Sequence, residues 1–364
     1  MAAISWADRA SLFLPRFLGG FTTRDWLRVL HDHGWNVDVV FWPRAVMATL
    51  GTVVTTILKP CDDARQFRSQ DEAAWQRPVF IIGIPRSGTT HLFHLLARDP
   101  RFGHATRLDV FHPHTFLTLR AIGLHRVLGL LPARPRAMDA VKMGWLSPEE
   151  DSIALALLVG RGDRMQSVFC RSSAGVEMPA ELFRGALATF TRKLVHLNRK
   201  PLILKSPGHI QRIHDILRVF PDARFVTILR EPGAVVSSIV AMRQSAAKVW
   251  SALQWPTPSD TAAVVDQLAD SMNRYFDARP MIPPGNLVEL RYEDLVADEQ
   301  GTLALIYRSL DLSPPAVPDT SAKKRPYARR NNPPLDVAMQ ARVRHAFRRL
   351  IEAGWYPPSP SVTE

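Results

Sequence analysis

Pro78-Val-Phe-Ile-Ile-Gly-Ile-Pro-Arg-Ser-Gly-Thr-Thr-His-Leu92 is the stretch from which the fold is read. Its apolar beginning, Val79–Ile84, predicts a buried strand. Gly83, Pro85 and Gly88 then mark a turn, and Thr89–Ala97 carries helical periodicity through Leu92, Leu95 and Leu96. Strand, glycine-containing turn and helix start together make an anion cradle. The turn aims backbone N–H groups inward, and the helix start adds unsatisfied donors and a positive dipole end. The spacing Gly83…Gly88-Thr89-Thr90 imitates a P-loop, but the Lys expected after the second Gly is missing and Arg86 lies within the turn. The loop is therefore suited to a phosphate-type anion rather than to ATP or GTP.

Working outward, further apolar strands are predicted at Leu202–Lys205, Arg224–Arg230 and Leu287–Arg291. Helices are predicted at Pro148–Val159, Ile210–Val219, Pro232–Gln244, Thr261–Asp277 and Thr302–Leu310, with a last one near Asp336–Ala353. Continuous apolar strands separated by helices imply an α/β fold, a parallel sheet covered by helices on both faces. Ligands of such sheets bind at the carboxyl ends of the strands. Arg86, Lys205 and Arg230 each stand at or just past such an end, which points to a single site.

Three blocks in this arrangement resemble the sulfotransferase family that uses 3′-phosphoadenosine 5′-phosphosulfate as donor. Pro85-Arg-Ser-Gly-Thr-Thr90 looks like the family's loop for the 5′-phosphosulfate. Phe225-Val-Thr-Ile-Leu-Arg230 followed by Ser238 looks like its Arg and Ser for the 3′-phosphate. Leu202-Ile-Leu-Lys-Ser-Pro-Gly-His209 looks like the Lys-Ser-Pro-x-His segment of a bacterial branch. Ser147-Pro-Glu-Glu-Asp151 and Leu290-Arg-Tyr-Glu-Asp-Leu295 also resemble family segments, so the likeness runs over roughly residues 78–312. The resemblance implies a P-loop-like fold and donor binding by Arg86, Ser87, Gly88, Thr89, Thr90, Arg230 and Ser238. It also implies transfer of the sulfuryl group to a hydroxyl acceptor, with Arg86 and Lys205 at the reacting centre. Cationic side chains would supply the charge that Mg²⁺ gives in kinases, so no metal is expected.

The acceptor hydroxyl needs a base, and the candidates are His209, Asp109, His104, His112 and His114. His209 follows strand-end Lys205 closely. Asp109 falls where the bacterial branch carries a Trp-Glu pair, whereas this chain has Leu108-Asp109. His112-Pro-His114 has no matched partner spacing for a metal. Glu149 and Glu150 read as residues of a helix start. Each candidate has a plainer alternative. Arg86 could make a surface salt bridge, Arg230 could pair with Glu231, Ser238 could be an ordinary helix serine, and His209 could bond only locally.

The chain has 364 residues, 46% of them hydrophobic and 22% charged, which is ordinary for a globular protein. The net charge of +12 suits an anionic donor or an anionic membrane surface. No finger, basic zipper or stacking-sheet motif points to nucleic acid. Two cysteines, Cys61 and Cys170, make neither a disulfide framework nor a metal site, in keeping with a reducing interior. No signal peptide is read at the start, so a cytoplasmic location is expected, with peripheral contact at the inner membrane face.

Residues 1–75 read as a helical N-terminal arm, including Trp26–His33 and the apolar run 41–58, and residues 76–364 as the α/β domain. The run 41–58 has two readings. Its length favours a helix packed on the main domain, while Trp42, Arg44 and Lys59 at its ends suit an interfacial helix. Residues 100–146 look like an irregular, lid-like insertion on the acceptor side, and 254–259 like a mobile loop. Within 322–364, the run Lys323–Arg330 is a basic loop ahead of the last helix. The apolar stretches 41–58 and 117–131 favour a lipophilic or membrane-associated alcohol as acceptor. Two other functions stay open: a P-loop small-molecule kinase, which would turn over ATP with Mg²⁺, and a non-catalytic nucleotide-binding protein at a membrane.

Overall fold

A computed structural model describes residues 14, 17–66, 75, 77–135, 141–162, 165, 168–169, 171, 178–250, 253–255, 260–313 and 334–356, the side chains of 66 and 243–250 excepted. Cys170, the loop at 256–259 and the basic run 323–330 lie outside these residues. The chain divides into two compact units. One comprises 1–75, 103–202 and 245–258, the other 76–102, 203–244 and 259–364. The helices used below are α1 (Thr23–Asp32), α2 (Trp42–Gln66), α3 (Thr89–Leu96), α4 (Ala180–Asn198), α5 (Pro232–Trp250) and α6 (Thr261–Ala278). The strands used below, four of the main sheet's five, are β1 (Val79–Ile82), β2 (Leu202–Lys205), β3 (Arg224–Leu229) and β4 (Leu287–Arg291).

The α/β unit is built on these four strands in the order β2-β1-β3-β4. All three pairings are parallel, with Ile81 opposite Lys205, Ile82 opposite Thr227 and Leu229 opposite Arg291. Every residue of β1, β2 and β3 is buried. That is why their sequences are unbroken apolar runs rather than alternating ones. On one face Val79, Ile81, Val226 and Ile228 pack with Leu92, Phe93 and Leu96 of α3. Phe80 and Phe225 stack at 5.8 Å, and Phe80 also meets Phe220 at 6.0 Å. Strand pairing thus sets the carboxyl ends of β2 and β3 on either side of the turn that leaves β1.

Boundaries differ from the sequence expectation where caps intervene. β1 stops at Ile82 and not at Ile84, and β3 stops at Leu229. The helix expected from Ile210 starts as a 3₁₀ turn, Pro207–Gln211, followed by a helix over Ile213–Val219. The helix expected from Thr302 begins at Glu299, because the Asp298 side chain accepts from Gly301 N and caps it. The final helix is two, Val337–Ala346 and Arg348–Glu352.

In the other unit, α2 runs 25 residues and continues through Pro60, well past the predicted end at Leu58. Its burial is inverted. Arg44, Thr52, Thr55 and Asp62 are buried, while Trp42, Val46, Leu50, Val53, Val54 and Ile57 are exposed. The polar residues face inward because each finds a partner there. Arg44 Nε donates to Leu14 O at 3.2 Å and Thr55 Oγ1 to Gly19 O at 2.8 Å. Asp62 pairs with Lys193 of α4 and accepts from Thr118 N at 2.6 Å. By length and composition this helix could cross a membrane. The run is therefore not buried all round: one side packs, and its apolar side faces out.

Residues 103–131 are not irregular. They form helices Arg107–Phe111, Phe116–Ala121 and Leu124–Gly129, and Phe116 and Leu117 belong to the unit's core. The helix expected from Pro148 begins at Ser152, so Glu149 and Glu150 precede it. Glu149 is instead buried, 3.4 Å from Arg107.

Candidate functional site

The turn after β1 is held by contacts that only glycine allows. A Cβ on Gly83 would lie 2.7 Å from Ile228 O and 2.7 Å from Ser87 Oγ. Gly88 caps α3 with φ +105°, and a Cβ there would lie 2.3 Å from the Tyr292 ring. Arg86 itself is in the left-handed region, φ +70°, where a non-glycine residue is strained. Its conformation is fixed from two sides. Arg86 Nε donates to Ser238 Oγ of α5 at 3.1 Å, and Arg230 Nη1 donates to Arg86 O at 3.1 Å.

These bonds bring together the two segments that the sequence offered separately. Arg86, from the loop, and Arg230 and Ser238, from the end of β3 and from α5, form one connected group. Ser238, only 6% exposed, accepts from Arg86 and so keeps its own O–H proton to donate. Arg230 does not pair with its neighbour Glu231. That carboxylate turns back to accept from Gly233 N at 2.8 Å and Ala234 N at 2.5 Å, capping α5. The Arg230 guanidinium lies 4.5 Å from the centre of the Tyr292 ring instead.

Lys205, at the end of β2, is buried and donates to Thr90 Oγ1 at 3.3 Å. Its ammonium also stands 6.0 Å from the Phe93 ring of α3. Ser87 Oγ is buried without a hydrogen-bond partner among the described residues. A loop with an orphaned hydroxyl, a helix start and three cationic side chains fits a ligand carrying phosphate-type anions. Among the described residues, no three His, Cys, Asp or Glu side chains gather as metal ligands.

His209 sits in the 3₁₀ turn after β2, where Ser206 Oγ accepts from Gly208 N at 3.2 Å. The imidazole is buried and meets the Phe80 ring edge-on at 5.6 Å. Asp109 belongs to the other unit and is fully committed there. It is 0% exposed and receives Arg120 Nε at 2.7 Å, Arg120 Nη2 at 2.9 Å, Thr106 N at 2.8 Å and Thr106 Oγ1 at 2.7 Å. In the same unit, burial lowers the pKa of His104 against the opposing pull of Asp109. Burial, reinforced by Lys193, pushes His114 down to about 4. An imidazole that weakly basic is a poor proton acceptor near neutral pH.

Tyr292 is the residue that sequence reasoning passed over. It packs on Gly88 and lies under Arg230, and it follows β4 directly. Its position just past a strand end was the available signal, the same one that singled out Arg86, Lys205 and Arg230.

A family model described as the sulfotransferase family matches residues 78–316. An omega-hydroxy-beta-dihydromenaquinone-9 sulfotransferase of Mycobacterium bovis is 28% identical over 299 residues, 79% of this chain and 76% of the relative. Among solved structures, sulfotransferase STF1 from Mycobacterium tuberculosis H37Rv superposes with a TM-score of 0.62 at 20% identity, covering 90% of this chain and 92% of that one. Sulfotransferase STF9 from Mycobacterium avium gives 0.57 at 16% identity, over 92% and 88%. The two structures show the shared fold.

Proposed function

Because the chain belongs to the sulfotransferase family, we propose that it moves a sulfuryl group from 3′-phosphoadenosine 5′-phosphosulfate to the hydroxyl of a lipophilic acceptor. The observation that carries this reading is the bond from Arg86 Nε to Ser238 Oγ. It ties a 5′-side loop to a 3′-side Arg–Ser pair, and a nucleotide with anions at both ends is the ligand that needs both. The donor brings an activated sulfuryl group; the protein positions it and neutralises its charge. Ser87, Gly88, Thr89 and Thr90 cradle the 5′ end. Arg86 and Lys205 face the charge that develops on the departing phosphate oxygen. Arg230 and Ser238 take the 3′-phosphate, the planar guanidinium suiting a bidentate contact.

As the acceptor oxygen bonds to sulfur, the bond from sulfur to the phosphate oxygen breaks and the hydroxyl proton goes to His209. Asp109 keeps its bonds to Arg120 and takes no proton. A lipophilic alcohol as acceptor draws support from the menaquinone derivative named for the Mycobacterium bovis relative and from the outward apolar row of α2.

Calorimetry with 3′-phosphoadenosine 5′-phosphate in the presence of EDTA tests the reading. Affinity should be retained, because side-chain cations supply the charge. Loss of binding on chelation, or no binding at all, would overturn it. Arg230→Ala should cost about 1.5–3 kcal/mol of affinity, the range for a hydrogen bond to a charged group. The same variant should lose much less with adenosine 5′-phosphate. An equal loss for both nucleotides would show that Arg230 holds something other than the 3′-phosphate.

A further inference from the structure

The unit containing residues 103–202 has a second basic feature, independent of the donor loop. A cleft of about 530 Å³ is lined by Arg65 near the end of α2, by Leu117 and Arg120, by His125, and by His196 and Arg199 at the end of α4. Among the described residues, no carboxylate lines it. The carboxylates that act on these groups are already claimed, Asp109 by Arg120 and Asp62 by Lys193. Three nitrogens in the lining are buried with no hydrogen-bond partner among the described residues: Arg65 Nε, His125 Nδ1 and His196 Nδ1. Buried polar atoms are normally satisfied, so three orphans around one cleft need an explanation.

We infer that this cleft binds a phosphate-type oxyanion carried on a phosphoester. A tetrahedral oxyanion presents acceptors in several directions at once and can engage the guanidinium groups of Arg65 and Arg199 together, beside the two imidazoles of the lining. The cleft is larger than a bare phosphate requires, and its Leu117, Ala121 and Leu197 walls suit the carbon portion of an ester. Two sources share this chemistry, a soluble phosphoester and the headgroup of an anionic phospholipid.

The test uses the full chain with ¹⁵N-labelled histidines. The His125 and His196 ring resonances are assigned from single His→Gln variants. Titration with inorganic phosphate should shift both and saturate. Arg65→Gln/Arg199→Gln should weaken that response roughly tenfold or more, while a charge-matched control on the same unit, Arg24→Gln/Arg161→Gln, should not. Sedimentation with phosphatidylglycerol and phosphatidylcholine vesicles separates the sources. Binding to phosphatidylglycerol alone, lost in Arg65→Gln/Arg199→Gln and displaced by phosphate, identifies a lipid headgroup. A phosphate response without vesicle binding identifies a soluble ester. Ring resonances unmoved by phosphate, together with equal vesicle binding by the two double variants, would overturn the inference. The basic residues would then be a solvated helix end and nothing more.

Discussion

His209→Gln should lower the rate of sulfuryl transfer by roughly 10²–10⁴-fold, the range for loss of a positioned general base. Glutamine is chosen over alanine because the imidazole is buried against Phe80, and removing its volume would open a cavity in the layer beneath the strand ends. The amide keeps most of the volume and a hydrogen-bonding edge but cannot accept a proton near neutral pH. Affinity for 3′-phosphoadenosine 5′-phosphate should stay nearly unchanged, and the melting temperature should move little. Asp109→Asn serves as the counter-test, read at a temperature where the variant is folded. Full transfer activity in His209→Gln beside an inactive, folded Asp109→Asn would exchange the two roles.

Asp62→Ala should destabilise its unit by about 3–5 kcal/mol, the cost of leaving one partner of a buried ion pair alone. Asp62 is 0% exposed, and its partner Lys193 is 2% exposed. Burial already pulls the Lys193 ammonium below its ordinary pKa, with Asp62 as the main opposing influence. The variant also removes the acceptor of Thr118 N. Lys193 would keep its bond to Pro113 O at 2.6 Å and the Phe116 ring 4.9 Å from its ammonium, but no charged partner from Asp62. In a chain of this size the thermal midpoint should fall by roughly 4–7 °C. Asp62→Ala/Lys193→Met should recover much of the loss, since an apolar pair of similar volume needs no compensating charge. A single variant as stable as the parent would mean that the pair contributes nothing.

Strands β1–β3 were legible because each is short and buried on both faces, so hydropathy alone marks it, whereas the two-residue strand Gly103–His104 carries no apolar run and was read as irregular. Arg86, Lys205 and Arg230 were legible for a related reason: a charged residue ending an apolar run has nowhere to go but the carboxyl edge of the sheet. What joins them was not legible. Arg86 reaches Ser238 across 152 positions, and no local pattern announces such a bond. Tyr292 escaped because an aromatic residue after a strand reads as core until Gly88 and Arg230 are seen on either side of it. Glu149 and Glu150 read as residues of a helix start, where carboxylates are favoured, but Pro148 bridges to Thr106 and the helix opens only at Ser152. For α2, the length of the run and the residues at its ends left two readings open and did not say which side turns inward. That choice was made by Lys193 and the backbone carbonyls of Leu14 and Gly19, partners distant in sequence.

The bond between Arg86 and Ser238 has a thermodynamic consequence. If the two ends of the donor are held by groups that hold each other, their binding contributions are not independent. A 3′-phosphate that orients Ser238 also orients the guanidinium serving the 5′ side, and the reverse holds by linkage. Selectivity for a 3′-phosphorylated nucleotide then becomes a coupling free energy spread over both ends of the site. It should vanish from a double-mutant cycle only when that single hydrogen bond is removed.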